Sequence, residues 1–317
     1  MTQKPTIIID TDPGQDDAAA ILMAFGFANQ GLADIAAITT VAGNVGLELT
    51  SKNARIICDW ANQPHTPVYA GAYKPLIEKL VTAENVHGKN GLDGVPLHEP
   101  KTPLKSLHAV PFLVETLLAA APNSITLCPI GPLTNIAQAL SLAPECAQGI
   151  KEIVLMGGTY FEAGNITPAA EFNFFVDPHA AQIVLQSGVP ITILPLDVTH
   201  KACITQARMD ALKALNNANG PRLAAILQSY ERYDIQQFGL EGGPLHDPCA
   251  LAYAVFPELF RGKKVTVNVE THGTFTMGAS VVDWWQKGEQ PANAHWITEV
   301  DADALFSKLT AAIATLP

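Results

Sequence analysis

Short apolar runs alternate with helical periodicity over most of this chain, and that alternation limits the fold more than any other feature. Residues 6–11, 35–41, 125–130, 153–156 and 191–196 are short and rich in Ile, Val or Leu, as strands buried on both faces are. Between them, residues 17–28, 49–61, 109–121, 133–142 and 178–187 carry apolar side chains at three- and four-residue steps. Alternating β and α units predict an α/β fold: an open, mostly parallel, doubly wound (Rossmann-like) sheet with helices on both faces. The C-terminal part breaks the rhythm. Residues 264–270, 274–277 and 295–300 read as strands, the first two with no helix between them, which predicts a small antiparallel C-terminal addition. Residues 301–316 read as a closing helix capped near Asp301. Two long irregular stretches, about 70–107 and the segment after a helix at 224–233 ending in Gly242-Gly243-Pro244, have the length of binding loops or lids. No linker, repeat or low-complexity segment divides the chain, so residues 1–317 read as one domain.

The charge balance narrows the partners. A net charge of −11 repels phosphate backbones and anionic lipid, and no run of Lys and Arg makes a local exception, so neither nucleic acid nor a membrane surface is expected as a partner. Cys58, Cys128, Cys146, Cys203 and Cys249 are scattered without a Cys-x-x-Cys pair, which reads as reduced thiols. The first apolar stretch is too short for a signal sequence and ends in a carboxylate. A cytoplasmic location is the expectation.

The first strand runs into Asp10-Thr11-Asp12-Pro13-Gly14-Gln15-Asp16-Asp17, four carboxylates in eight residues, with Pro13-Gly14 forcing a turn. Like charges this dense need a positive partner, and several carboxylates with nearby carbonyls suit a hard divalent cation such as Ca²⁺. A helix N-cap with an acidic first turn would account for Asp16 or Asp17 singly, but not for Asp10 and Asp12 at the strand end. In open parallel sheets ligands bind beyond the carboxyl ends of the strands. Asn44, Ile130-Gly131-Pro132, Asn165, Glu171, Asn173, Asp197 and Thr199-His200 all follow other expected strands and would share that rim. Each has a plainer reading. Asn44 or Asp197 could cap a helix, Asn165 could sit in a turn, and Glu171 and Asn173 could face solvent. Asp247 could cap the helix that Pro248 opens, or join the cation site with His246 beside it as a proton donor. His87, among glycines on a long loop, is a candidate substrate contact.

Together these phrases resemble the inosine–uridine-type nucleoside hydrolase family. The octet matches the family's N-terminal signature. The match continues through Val41-Ala42-Gly43-Asn44, His87-Gly88-Lys89-Asn90-Gly91, Gly131-Pro132-Leu133-Thr134-Asn135, Met156-Gly157-Gly158, Glu171-Phe172-Asn173 and His246-Asp247-Pro248. The likeness is nearest to the bacterial pyrimidine-preferring ribonucleoside hydrolases. It implies Ca²⁺-dependent hydrolysis of the N-glycosidic bond of a small ribonucleoside in salvage, by a homodimer or homotetramer. It implies Asp10, Asp12, Asp17, Asp247 and the Ile130 carbonyl as metal ligands, and Asp12 also as the base that activates water, oriented by Asn44. Asp16, Asn165, Glu171 and Asn173 would hold the ribose hydroxyls, His246 would protonate the leaving base, and Tyr230 and Tyr233 would contact the base. Pro195 stands where relatives often carry Gly.

Two rival readings carry other expectations. A haloacid-dehalogenase-type phosphatase also begins with a strand ending in Asp-x-Asp, but it lacks the Pro13-Gly14 turn and the Asp16-Asp17 pair, and this chain shows no phosphate-gripping Lys. A non-catalytic riboside-binding protein would have no need of the candidate catalytic residues that are present here.

Overall fold

The computed structural model describes residues 4–238 and 242–317, with side chains outside 230–238. Ten strands make one sheet: β1 (Thr6–Thr11), β2 (Asp34–Thr40), β3 (Val68–Ala70), β4 (Leu104–Lys105), β5 (Ile125–Pro129), β6 (Ile150–Met156), β7 (Ile191–Leu194), β8 (Phe260–Val269), β9 (Ser280–Asp283) and β10 (Ala294–Val300). They lie in the order β4-β3-β2-β1-β5-β6-β7-β10-β8-β9. Pairing is parallel from β4 through β10 and antiparallel at β10–β8 and β8–β9. The α/β reading therefore holds, with its antiparallel C-terminal addition.

Period-two alternation in β1 shows why the sheet must be covered on both faces. Ile7 and Ile9 belong to one apolar cluster, with the Gln15–Asn29, Asp247–Val255 and Ala302–Ile313 helices. Ile8 points into the other, with the Ala109–Ala119, Thr134–Leu142 and Pro178–Leu185 helices. All three isoleucines are buried. Strand order reverses at β1: β2, β3 and β4 extend one way, then the chain returns to lay β5, β6 and β7 on the other side. Such a switch point leaves a crevice at the strand's carboxyl end, and the acidic octet occupies it.

Several elements depart from expectation for local reasons. Residues 274–277 form a turn, not a strand: Gly278 adopts φ +81°, and its N–H donates to Glu270 O at 2.7 Å, closing the hairpin before β9. The long stretch after 70 contributes β4 and a short Glu84–His87 helix. β7 stops at Leu194 because Pro195 has no N–H for the ladder, and Leu196–Thr199 turns helical. Asp301 caps the last helix as expected, accepting from Ala304 N at 3.0 Å.

The first helix is buried almost all round, from Gln15 to Phe27, because the sheet, the Asp247–Val255 helix and the closing helix all pack on it. The approach to the closing helix is close at Gly26, where a Cβ would lie 2.4 Å from the Ala312 carbonyl oxygen. Backbone cannot yield as a flexible side chain can. Gly26→Ala is expected to destabilise the fold by about 1–3 kcal/mol, read as a lower urea midpoint; an unchanged midpoint would show that the two helices can part freely.

Candidate active site

The crevice holds carboxylates that are almost wholly buried. Asp10, Asp12, Asp16, Asp17 and Asp247 are each at most 5% exposed, a severe electrostatic cost unless partners compensate. Side-chain and backbone donors provide several. Asp10, ending β1, accepts from Thr39 Oγ1 at 2.5 Å and Asn135 Nδ2 at 2.7 Å. Asp12 accepts from Asn44 N at 2.7 Å. Asp17 accepts from Thr11 Oγ1 at 2.5 Å, Gly14 N at 2.9 Å and Asn44 Nδ2 at 3.1 Å. Two glycines give Asp12 its room. A Cβ on Gly43 would lie 2.0 Å from its Oδ2, and one on Gly131 would lie 2.4 Å from its Oδ1. Asn44 is thus no helix cap; Gly46 opens the Leu47–Trp60 helix.

These hydrogen bonds do not fully compensate the charge. Among the described residues, Asp10 Oδ2 and Asp12 Oδ1 are buried with no hydrogen-bond partner. Burial pushes Asp10 up to about 7. Burial and then repulsion from Asp17 hold Asp12 well above the usual carboxylate range, and burial with repulsion from Asp16, Asp17 and Asp12 does the same to Asp247. A single divalent cation would relieve every one of these effects. The donor set fits one: carboxylate oxygens of Asp16, Asp17 and Asp247 all lie within 4.8 Å of one another. Asp16 and Asp17 come from the first helix, and Asp247 is the first residue of the Asp247–Val255 helix, whose preceding position is taken by His246.

Above this trio opens a pocket. Its lining includes Asp16, Asn44, His87, Ile130, Asn165, Glu171, Asn173, His200, His246 and Asp247, so ten of the candidate and rim residues named from the sequence converge there. Asp10, Asp12 and Asp17 are not part of the lining. Tyr230 and Tyr233 have side chains outside the described residues. Glu171 and Asn173 do not face solvent. Glu171 caps the short Phe172–Val176 helix, accepting from Asn173 N at 2.8 Å, Gly158 N at 2.9 Å and Phe174 N at 3.2 Å. Asn173 Nδ2 donates to the Ile130 carbonyl at 3.1 Å and the Met156 carbonyl at 3.2 Å. Asn165 Oδ1 accepts from Phe172 N at 2.9 Å. His246 Nδ1 lies 2.7 Å from Thr199 Oγ1, and its ring stands 5.8 Å from that of His200. Burial, then His200 and His87, keep the His246 imidazole well below its ordinary value.

Further lining and supporting residues had no assigned role in the sequence. His200 lines the pocket, its Nδ1 3.7 Å from Glu162 Oε2. Asp197 caps no helix; its Oδ1 accepts from Tyr160 N, Phe161 N and Glu162 N at 2.9–3.1 Å, and its Oδ2 accepts from Trp296 Nε1 at 2.7 Å. It thereby pins the loop that carries Asn165. Gln15 contacts His87. The Asp197 and Thr199-His200 phrase after β7 was the available signal for the first two; nothing local shows what Gln15 holds.

A parallel sheet with a cation-ready carboxylate cluster and a polar pocket at its switch point describes an α/β enzyme that handles a small polar ligand beside a cation, and the comparisons specify which. The sequence profile of the inosine-uridine preferring nucleoside hydrolases matches residues 7–307, and the chain belongs to that family. It is an N-glycosyl hydrolase by that membership. An uncharacterised protein of Schizosaccharomyces pombe is 47% identical over 98% of this chain and 99% of its own. The pyrimidine-specific ribonucleoside hydrolase RihA of Photobacterium profundum is 43% identical over 97% of this chain and 98% of its own. Among solved structures, a purine-preferring ribonucleoside hydrolase from Gardnerella vaginalis superposes with a TM-score of 0.90 at 30% identity, covering 98% of each chain.

Burial also pushes Glu171 up to about 7, against the pull of its three backbone N–H donors. A carboxyl raised in the folded state favours folding fully below its ordinary value near 4.5, and that contribution is lost as pH rises toward 7. Glu171→Gln removes the slope and adds a constant offset from one lost acceptor. The variant should therefore gain stability relative to the parent between about pH 5 and about pH 8 in urea titrations with chelator present. Parallel pH profiles would show that Glu171 is ionised throughout.

Proposed function

We propose that this protein hydrolyses the N-glycosidic bond of ribonucleosides, with Ca²⁺ as cofactor and a preference for uridine and cytidine, as a cytoplasmic salvage enzyme. The observation that carries the reading is the meeting of Asp16, Asp17 and Asp247 beneath a pocket lined by Asn165, Glu171, Asn173 and His246. The pyrimidine preference is supported by the higher identity to the pyrimidine-specific RihA, 43%, than to the purine-preferring structure, 30%. The cytoplasmic reading draws on the five free cysteines; no helix among the described residues is long and apolar enough to cross a membrane.

Asp10, Asp12, Asp17, Asp247 and the Ile130 carbonyl are the proposed ligands, and the position of Asp16 in the carboxylate trio adds it as a sixth, within the oxygen-rich coordination Ca²⁺ accepts. A bound Ca²⁺ supplies an acidified water and a template for sugar hydroxyls. Asp12 takes the proton of the attacking water. Its carboxylate is held by Asn44 N, and the Asn44 amide also donates to the Asp12 carbonyl at 3.2 Å, so base and orienting group are one rigid unit. Asp16, Asn165, Glu171 and Asn173 grip the ribose. The bond breaks with positive charge developing on the sugar, a change that a ring of buried carboxylates favours. His246 donates toward the departing base, its ring orientation set by Thr199; burial keeps the imidazole neutral in the free site, so it becomes the acid only as negative charge building on the bound base raises it.

Incubation with uridine, cytidine and inosine, with and without EDTA, tests this reading directly. Release of free base and reducing sugar is expected, fastest from the pyrimidines and lost with chelator; phosphate release from nucleotides without base release from nucleosides would favour the phosphatase reading. Asp12→Ala should lower kcat by at least about 100-fold with the fold preserved. His246→Ala should slow uridine far more than a p-nitrophenyl riboside, whose leaving group needs no proton. Equal losses on the two substrates would remove His246 from the role of leaving-group acid.

A further inference from the structure

Gln15, the first residue of the first helix, has no part in the chemistry above, yet its amide is fully buried against the Glu84–His87 helix. Its Nε2 donates to the main-chain carbonyl of His87 at 3.2 Å, and its Oε1 lies 2.5 Å from Nδ1 of the same histidine. The two contacts orient each other. A carbonyl only accepts, so it must face the amide nitrogen; the amide oxygen then faces the ring, and an amide oxygen only accepts as well. Rotating the amide by half a turn would set two carbonyl oxygens against each other. Nδ1 therefore carries the hydrogen.

The ring has little freedom to evade this. It is 7% exposed, and a Cβ on Gly14 would lie 2.4 Å from its Nδ1, so the ring edge rests directly on the backbone of the acidic turn. His87 N also donates to Ala83 O at 2.9 Å, and Ala83 N to Asn44 O at 3.0 Å, tying the turn to the loop that holds Asp12. Burial pushes the imidazole down to about 3, so the ring carries a single hydrogen at neutral pH.

We propose that Gln15 is a positioning residue that locks His87 in the Nδ1–H tautomer, so that His87 acts through Nε2 as a hydrogen-bond acceptor and never as an acid. Any group that meets Nε2 must then be a donor, and a hydroxyl or N–H of the bound nucleoside is such a group. The kinetic consequence rests on the proposed nucleoside hydrolase activity and on His87 as a substrate contact; the tautomer does not.

The test is made first on the unaltered protein. With ¹⁵N-histidine labelling, long-range ¹H–¹⁵N spectra distinguish a protonated from a bare ring nitrogen, and the His87 signal is the one missing from His87→Gln. A protonated Nδ1 and a bare Nε2 are expected; a bare Nδ1 overturns the proposal without any variant at Gln15. Gln15→Leu, or Gln15→Met should Leu not fold, is expected to release the ring to the Nε2–H tautomer and raise the uridine KM about tenfold with kcat less affected. An unchanged His87 spectrum in both variants would show that Gln15 is not the lock. If the tautomer shifts as expected while KM stays constant in Gln15→Leu and in His87→Ala, the lock stands and the reading of His87 as a substrate contact falls.

Discussion

Everything distinctive in this molecule follows from burying several carboxylates at the carboxyl end of one strand. Removing a carboxylate from water is costly, and packing others beside it compounds the cost. The surroundings of β1 are arranged to limit it. Thr39 and Asn135 hold Asp10, Asn44 holds Asp12 and Asp17, and Gly43 and Gly131 let neighbouring loops approach Asp12 where any side chain would collide. Hydrogen bonds satisfy much of the cluster but supply no net positive charge. The remaining oxygens and the raised carboxyls define the complement the site needs, which is a cation. The fold's switch point supplies the place, because only there do loops from both halves of the sheet reach the same strand end.

The pocket is built on the same economy of donors. Glu171 spends both oxygens on backbone N–H groups at the start of a short helix, and Asn173 spends its amide nitrogen on the Ile130 and Met156 carbonyls. Side chains that line the pocket thus also hold its walls. Asp197 does similar work one layer out, joining the Asn165 loop to Trp296 of β10. Rigid polar residues, each fixed by its own partners, are what a site needs if it is to respond to charge developing on a sugar rather than to rearrange around it.

Much of this was legible in the sequence, and the reasons are specific. Strand ends could be read because apolar runs stop where the chain meets polar rim residues, as at Asp10 and after Met156. The octet was legible because four acids at a strand end defeat a capping explanation. Less could be seen where tertiary contact decides. Residues 274–277 have strand-like composition, but the positive φ at Gly278 and the Gly278–Glu270 bond make them a turn. Glu171 and Asn173 could as well have faced solvent, yet the cap and the buried carbonyls place them inward at the start of a helical turn. Asp247 has the sequence signs of an N-cap, but His246 takes that position and leaves the carboxylate for the cluster. Gln15 lies within the octet, but nothing local shows what it holds, since its partner lies 72 positions away.

The carboxylate trio joins the start of the chain to a helix near its end, Asp16 and Asp17 with Asp247. A polypeptide leaving the ribosome therefore presents the acidic octet before Asp247 and carries it without that complement until the later helix has emerged. A cation bound there would tie segments far apart in sequence, and its binding energy would accrue to the finished fold alone. Competence for chemistry and completion of folding would then arrive as one event, so fragments lacking the later helix are spared a half-assembled hydrolytic centre.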